Sequence, residues 1–142
     1  MSLFDLTGRR ALVSGASRGL GLQMAGALAR AGADLVITAR DVASLEKPRR
    51  ELETYGHQVD VVALDLQYED SICEAVEKAT ASGSVDILLN NAGCNIRKPA
   101  MDVRWKDWNT ILDTNLRGMF FMTQRVVRSM LLRKSGRVIN IG

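Results

Sequence analysis

The sequence predicts an α/β fold, a doubly wound parallel sheet with helices on both faces. Three observations point to it. Short apolar runs alternate with longer segments of helical period, as successive βαβ units require. A turn rich in glycine, Gly15 to Gly21, separates the first apolar run from the first helical segment. The chain has 142 residues, 46% apolar and 25% charged, a composition suited to one globular domain with a real core.

Taken in order, Ala11 to Val13 reads as strand one. Gly21 to Arg30 follows as a helix with Leu20, Met24, Ala27 and Leu28 on one face, ended by Gly32. Leu35 to Thr38 is strand two. Asp41 can cap the next helix, which Pro48 should kink or split, because proline removes a helical donor and clashes with the preceding turn. Val59 to Leu64 is strand three, and Ser71 to Thr80 is a helix that turns Ile72, Ala75, Val76 and Ala79 inward. Asp86 to Leu89 is strand four. From Arg104 to Arg133 the apolar positions Trp105, Trp108, Ile111, Leu112, Leu116, Met119, Met122, Val126 and Met130 keep helical spacing, which predicts one long helix. Ser135-Gly136 breaks it, and Arg137 to Ile141 is strand five. A sheet ending there leaves Val138, Ile139 and Ile141 on an unpaired edge or an uncovered face, so further structure downstream is expected, as are marginal stability and aggregation of the isolated chain.

Charge and composition exclude several functions. Lys and Arg number 19 against 16 Asp and Glu, interspersed, so the net +3 describes a mildly basic surface and implies no nucleic-acid partner. The basic cluster Lys47-Pro48-Arg49-Arg50 reads as a solvated helix face. No secretory signal is expected from Met1-Ser2-Leu3-Phe4-Asp5-Leu6, and no stretch approaches the roughly 18 apolar residues that span a bilayer. Cys73 and Cys94 lack metal-ligand spacing and read as free thiols in a reducing compartment, which points to the cytoplasm. His57 stands alone and reads as a surface or turn residue.

The strongest chemical signal is Ser14-Gly15-Ala16-Ser17-Arg18-Gly19-Leu20-Gly21, placed between strand one and its helix. Gly15 permits the tight turn, Gly19 lets the backbone approach a pyrophosphate, and Gly21 allows close packing of helix on strand. The helix amino terminus then offers free N–H groups and a partial positive charge. No Gly-Lys-Ser/Thr follows, so this is not a P-loop. The loop resembles the TGxxxGxG motif of the short-chain dehydrogenase/reductase family, with Ser14 keeping the hydroxyl of the usual Thr. The resemblance continues through Asp65-Leu66, similar to the family's pair beside the adenine, and Asn90-Asn91-Ala92-Gly93, which matches its NNAG motif after strand four. It covers essentially the whole chain. It implies a Rossmann-like NAD(P)-binding domain over residues 1–142, incomplete at its carboxyl end and truncated after strand five. The cofactor-binding set it implies is Gly15, Ser17, Arg18, Gly19, Leu20, Gly21, Asp65, Leu66, Asn91, Ala92 and Gly93.

The end of strand two selects between dinucleotides. An acid there would bond the ribose hydroxyls of NAD, whereas an arginine would pair with the 2′-phosphate of NADP. Thr38-Ala39-Arg40-Asp41 puts Arg40 there, and Arg18 is a candidate second arm of a phosphate clamp. NADP(H) is expected over NAD, with Asp41 as the rival contact.

In the family a Tyr acts as general acid/base, a Lys four residues later lowers its pKa, and a Ser holds the substrate oxygen. Tyr55 and Tyr68 are the only tyrosines, and Val59 and Ile72 stand four residues after them, so neither fits. Of that constellation only Asn115 has a match, with a family role of interrupting the helix and holding a relay water; a structural polar residue is the plainer alternative. Cys94 reads as small apolar packing, and Trp105 and Trp108 as core or interface residues. The resemblance therefore implies an NADP(H)-dependent oxidoreductase acting on a small secondary alcohol or ketone, with the Asn90 to Pro99 stretch similar to members acting on sugar acids or 3-oxoacyl groups. Relatives build a tetramer on the long helix, so a homo-oligomer is expected. Two rivals stand beside this: a non-catalytic dinucleotide-binding fragment or regulatory module, and a methyltransferase with a similar loop, against which Arg40 and the NNAG match argue.

Overall fold

The computed structural model describes residues 2–142. Five strands form one parallel sheet in the order β3-β2-β1-β4-β5. They are β1 (Arg10–Val13), β2 (Asp34–Ala39), β3 (Val59–Ala63), β4 (Ile87–Asn90) and β5 (Arg137–Asn140). The chain winds outward from β1 to β3, returns across the sheet, and continues on the other side as β4 and β5. The order reverses between β1 and β4, so the loops leaving those two strands diverge and open a crevice at their carboxyl ends.

Strand side chains alternate between two cores. Ala11, Val13, Leu35, Ile37 and Leu89 pack on one face beneath α1 (Gly19–Arg30) and α2 (Glu46–Glu53). Leu12, Val36, Val62 and Leu88 pack on the other with Ile72, Ala75 and Ala79 of α3 (Glu69–Ala81) and Met122, Val126 and Met130 of α5 (Met119–Arg133). Burial on both faces explains why the strands read as continuous apolar runs. This is the expected Rossmann-like α/β fold, doubly wound around a parallel sheet.

Three elements differ from the sequence reading. Helix α1 does not turn Leu20 and Ala27 inward; both are exposed, and the buried stripe is Gly21, Ala25, Gly26 and Ala29, with Leu22, Met24 and Leu28 at its flanks. Small residues let the helix backbone sit close to the sheet, and that proximity outweighs the hydropathy of the leucines. The second helical segment splits upstream of the proline: Asp41 caps a 3₁₀ turn at Val42–Leu45 by accepting from the Ala43 N–H at 3.0 Å, and α2 begins at Glu46. Pro48 then lies in the first turn of α2, where its missing donor costs nothing.

The predicted long helix is broken. It runs as α4 (Trp105–Leu112), a π-helical turn at Asp113–Gly118, and α5. Gly118, the last residue of that turn, abuts the Leu66 carbonyl so closely that a Cβ there would overlap it. The apolar stripe divides accordingly. Met122, Val126 and Met130 are buried, whereas Trp105 is 84% and Trp108 60% exposed, with Leu112, Leu116 and Phe120 exposed beside them. Lys134, with φ at +55°, closes α5. All four residues of β5 are exposed, and β4 is its partner in the sheet.

At the amino ends of the strands, Arg10 is buried and its guanidinium donates to the carbonyls of Ala79 and Gly83, to Asp60 at 2.6 Å and to Ser82 Oγ at 2.6 Å. Burial works against the Asp60 carboxylate, but hydrogen bonds from Gln58, Arg10 and Ser82 prevail and hold its pKa below the usual value. This knot fixes the closed end of the sheet and leaves the opposite end to the site.

Candidate functional site

The crevice is assembled by a serine and an asparagine. Ser14 is buried at the end of β1; its hydroxyl accepts from the N–H groups of Asn91 and Ala92, at 3.1 and 3.0 Å. In return, Asn91 Nδ2 donates to the carbonyls of Gly15 and Ser14 at 3.0 and 3.3 Å. Two loops from adjacent strands are thereby tied at a fixed spacing. Gly15 has φ at +68°, and a Cβ there would stand 2.8 Å from the Ala92 Cα. Gly21 lies below this junction, where a Cβ would run into the Gly15 carbonyl and the Asn91 amide. Gly19 differs: its φ is +59°, and nothing lies within 4 Å of where its Cβ would be. It opens α1 onto free space, and among the described residues no side chain caps that helix start.

Above the junction is a cavity of about 380 Å³. Of the residues expected from sequence, Gly15, Ser17, Arg18, Gly19, Arg40, Asp65, Leu66, Asn91, Ala92 and Gly93 line it together. Leu20, 63% exposed, and Gly21, packed against the Gly15 carbonyl, are not among the lining residues. Asn115, exposed in the π turn and outside the lining, holds a lining loop: its Oδ1 accepts from the Cys94 N–H and its Nδ2 donates to the Cys94 carbonyl, both at 2.8 Å. A side chain diverted to a neighbouring loop in this way is a local cause of helix interruption.

Arg18 and Arg40 are exposed on this wall. Asp41 does not line the cavity, since its carboxylate is committed to the Ala43 N–H. Asp65 accepts from the Gln67 N–H at 3.0 Å, and its own N–H donates to Ser71 Oγ at 2.8 Å, which fixes the turn after β3. Thr38, Ala39, Leu64, Gln67, Thr110 and Thr114 also line the cavity beyond the expected set, as does Cys94, which follows the NNAG motif. A usable signal existed for Thr38, a hydroxyl in an apolar strand, and for Thr110 and Thr114, spaced i, i+4 on one helical face.

Outside the cavity, the start of α4 is held by charge. Buried Asp107 receives Lys98 Nζ at 2.6 Å, and Arg104 through its backbone N–H at 3.0 Å and its guanidinium at 3.1 and 3.2 Å. Arg104 and then Lys98 hold its carboxyl well below the usual carboxylate range. Tyr55 packs against Arg30 and Tyr68 is 63% exposed; neither lines the cavity. Among the described residues, no group of three or more His, Cys, Asp or Glu side chains is arranged to hold a metal, and no helix is long and apolar enough to cross a membrane.

Residues 9–142 match the sequence profile of the short chain dehydrogenase family. The chain belongs to that family. It is 39% identical to gluconate 5-dehydrogenase of Gluconobacter oxydans (strain 621H) over 140 residues, which is 98% of this chain and 55% of that protein. Among solved family structures, the 3-oxoacyl (acyl-carrier-protein) reductase of Agrobacterium tumefaciens C58 with NADP bound matches with a TM-score of 0.94 at 34% identity, covering 100% of this chain and 56% of that one. Gluconate 5-dehydrogenase of Burkholderia cenocepacia J2315, in complex with NADP and tartrate, matches with a TM-score of 0.89 at 37% identity, covering 96% and 54%. The chain thus spans about 55% of the length of the short-chain dehydrogenases it matches.

Proposed function

We propose that this chain forms the dinucleotide-binding part of an NADP(H)-dependent oxidoreductase that interconverts a secondary alcohol and a ketone, with sugar acids or 3-oxoacyl compounds as the substrate class. One observation carries the cofactor reading: the glycine loop, open at Gly19, shares a cavity wall with Arg18 and Arg40. The space a Cβ would fill at Gly19 suits a phosphate approaching the start of α1. Two guanidiniums suit a second phosphate at the ribose, since arginine pairs with phosphate in a planar, two-pronged geometry. Asp65 and Leu66 flank the adenine, and the small Ala92 and Gly93 let the cofactor pass the end of β4. The NADP in two of the solved relatives supports the same choice.

When bound, the nicotinamide supplies or takes up hydride. The chain's own part is to bind and orient. Asn115 fixes the Cys94 backbone in the cavity wall by two hydrogen bonds from the π turn. The Ser, Tyr and Lys of the family reaction are, in this reading, contributed from outside these residues, residues 1–142 being one part of a longer domain. The share of each relative's length that is covered and the exposure of β5 support this. The exposed stripe Trp105, Trp108, Leu112, Leu116 and Phe120 supports self-association as a homo-oligomer, a tetramer in the whole protein. Two unpaired thiols, Cys73 and Cys94, fit the cytoplasm.

The Arg40→Ala variant tests the cofactor reading. Losing a charge-assisted contact worth about 1.5–3 kcal/mol should weaken NADPH binding roughly 10- to 150-fold. NADH binding should change little. Equal weakening of both nucleotides contradicts the assignment.

A further inference from the structure

A second cavity, of about 270 Å³, lies between α1 and α2. It shares no lining residue with the dinucleotide crevice. Its size is close to the lower bound of about 300 Å³ for pockets that hold small molecules. Half-buried Leu22 and buried Gly26 and Leu52 form its apolar lining. Gly26 is the reason the space is there. A Cβ at this position would stand 3.9 Å from Leu52 Cδ2 and 3.4 Å from Arg30 Nη1, ordinary contacts both. Unlike Gly15 or Gly21, it is required neither by a positive φ nor by a close approach of backbone. Glycine inside a helix nonetheless costs stability relative to alanine. What its missing side chain leaves is room.

The polar part of the lining is charged and uncommitted. Arg30 is the last residue of α1; its Nη1 donates to the Tyr55 hydroxyl at 3.1 Å, and its guanidinium carbon lies 5.4 Å from the Tyr55 ring centre. Tyr55 therefore fixes the guanidinium beside the cavity, and the other guanidinium donors have no partner among the described residues. Glu51 lines the same cavity from α2. The other acids of that helix pair along it, Glu46 with Arg50 at 3.0 Å and Glu53 with Arg49 at 2.9 Å, whereas Glu51 makes no ion pair among the described residues. A cation and an anion thus line one cavity without meeting each other, with apolar surface and spare room between them. A ligand that answers these features carries a carboxylate for Arg30, an ammonium for Glu51 and a small apolar body for Leu22 and Leu52.

We propose that the cavity between α1 and α2 is a second ligand site, for a free apolar amino acid. It does not depend on the dinucleotide reading above. The test is calorimetric titration of the 142-residue chain with L-leucine, with 4-methylpentanoate, which lacks the ammonium, and with L-leucinamide, which lacks the carboxylate. L-Leucine should bind at least about fivefold more tightly than either analogue. Glu51→Gln should remove the preference for L-leucine over 4-methylpentanoate, and Arg30→Gln the preference over L-leucinamide. NADPH affinity should stay within about twofold in both variants, since neither residue lines the crevice. Gly26→Ala should weaken L-leucine binding severalfold and raise the Tm of the ligand-free chain, because alanine is the better helix former. Absence of L-leucine binding at about 10 mM, or equal binding of the three ligands, would overturn the proposal. So would folded variants whose affinity for L-leucine is unchanged. A lower Tm in Gly26→Ala would overturn it as well, by showing that the helices need the glycine to pack. If a variant does not fold, the comparison of the three ligands on the unsubstituted chain decides alone.

Discussion

At Gly19 the backbone has φ +59° and open space in front of it, whereas a Cβ at Gly21 would press into the Gly15 carbonyl. The two glycines of one loop therefore fail differently when substituted. Gly19→Ala places a side chain in the left-handed region, at a cost of about 1–2 kcal/mol, and into the space assigned to phosphate. Its NADPH affinity should fall at least about tenfold, more than that modest loss of stability would suggest. Gly21→Ala should instead cost about 1–3 kcal/mol by overpacking the junction of α1, β1 and β4. Urea unfolding beside NADPH titration separates these effects, and unchanged binding in Gly19→Ala would contradict the phosphate assignment. The glycine positions were legible because each role depends on local backbone geometry. Thr38, Thr110 and Thr114 each carried a local signal, a hydroxyl in an apolar strand and an i, i+4 pair, but nothing local says that a strand end and a helix turn will face one cavity.

Among the elements, the start of α4 depends on ionised Asp107. Its carboxyl is held below its ordinary value of 3.8, first by Arg104 and then by Lys98. A depressed acid contributes stability that is present above the ordinary aspartate range and lost as pH falls through the lower folded value. The Tm difference between the protein and Asp107→Asn should therefore be constant above about pH 5 and shrink as pH falls below about 4. A difference independent of pH would contradict the ion-pair account. The broken helix marks the limit of periodicity as evidence. Residues 104–133 carry an unbroken apolar spacing, yet the helix breaks at Asp113–Gly118, where Asn115 bonds the Cys94 backbone and Gly118 abuts the Leu66 carbonyl; the signal for the break lay in the asparagine and not in the spacing. Helix α1 shows the same limit from the other side, because hydropathy favours Leu20 over Gly21 while close approach to the sheet demands Gly21.

For the molecule as a whole, the order β3-β2-β1-β4-β5 puts the Ser14–Asn91 junction at the point where the strand order reverses, and the Arg10 knot holds the far end of the same sheet. The fold was legible at this scale because alternation of strand and helix leaves few other ways to bury two apolar cores. The exposed stripe of α4 and α5 and the exposed strand β5 are the surfaces where the account expects further protein to pack. The most direct test of the central claim is calorimetric titration of the chain with NADPH, NADH and S-adenosylmethionine under identical conditions. NADPH should bind at least about tenfold more tightly than NADH, and S-adenosylmethionine should not bind. Equal affinity for the two nicotinamide nucleotides would remove the role given to Arg40, and binding of S-adenosylmethionine alone would contradict the functional reading altogether.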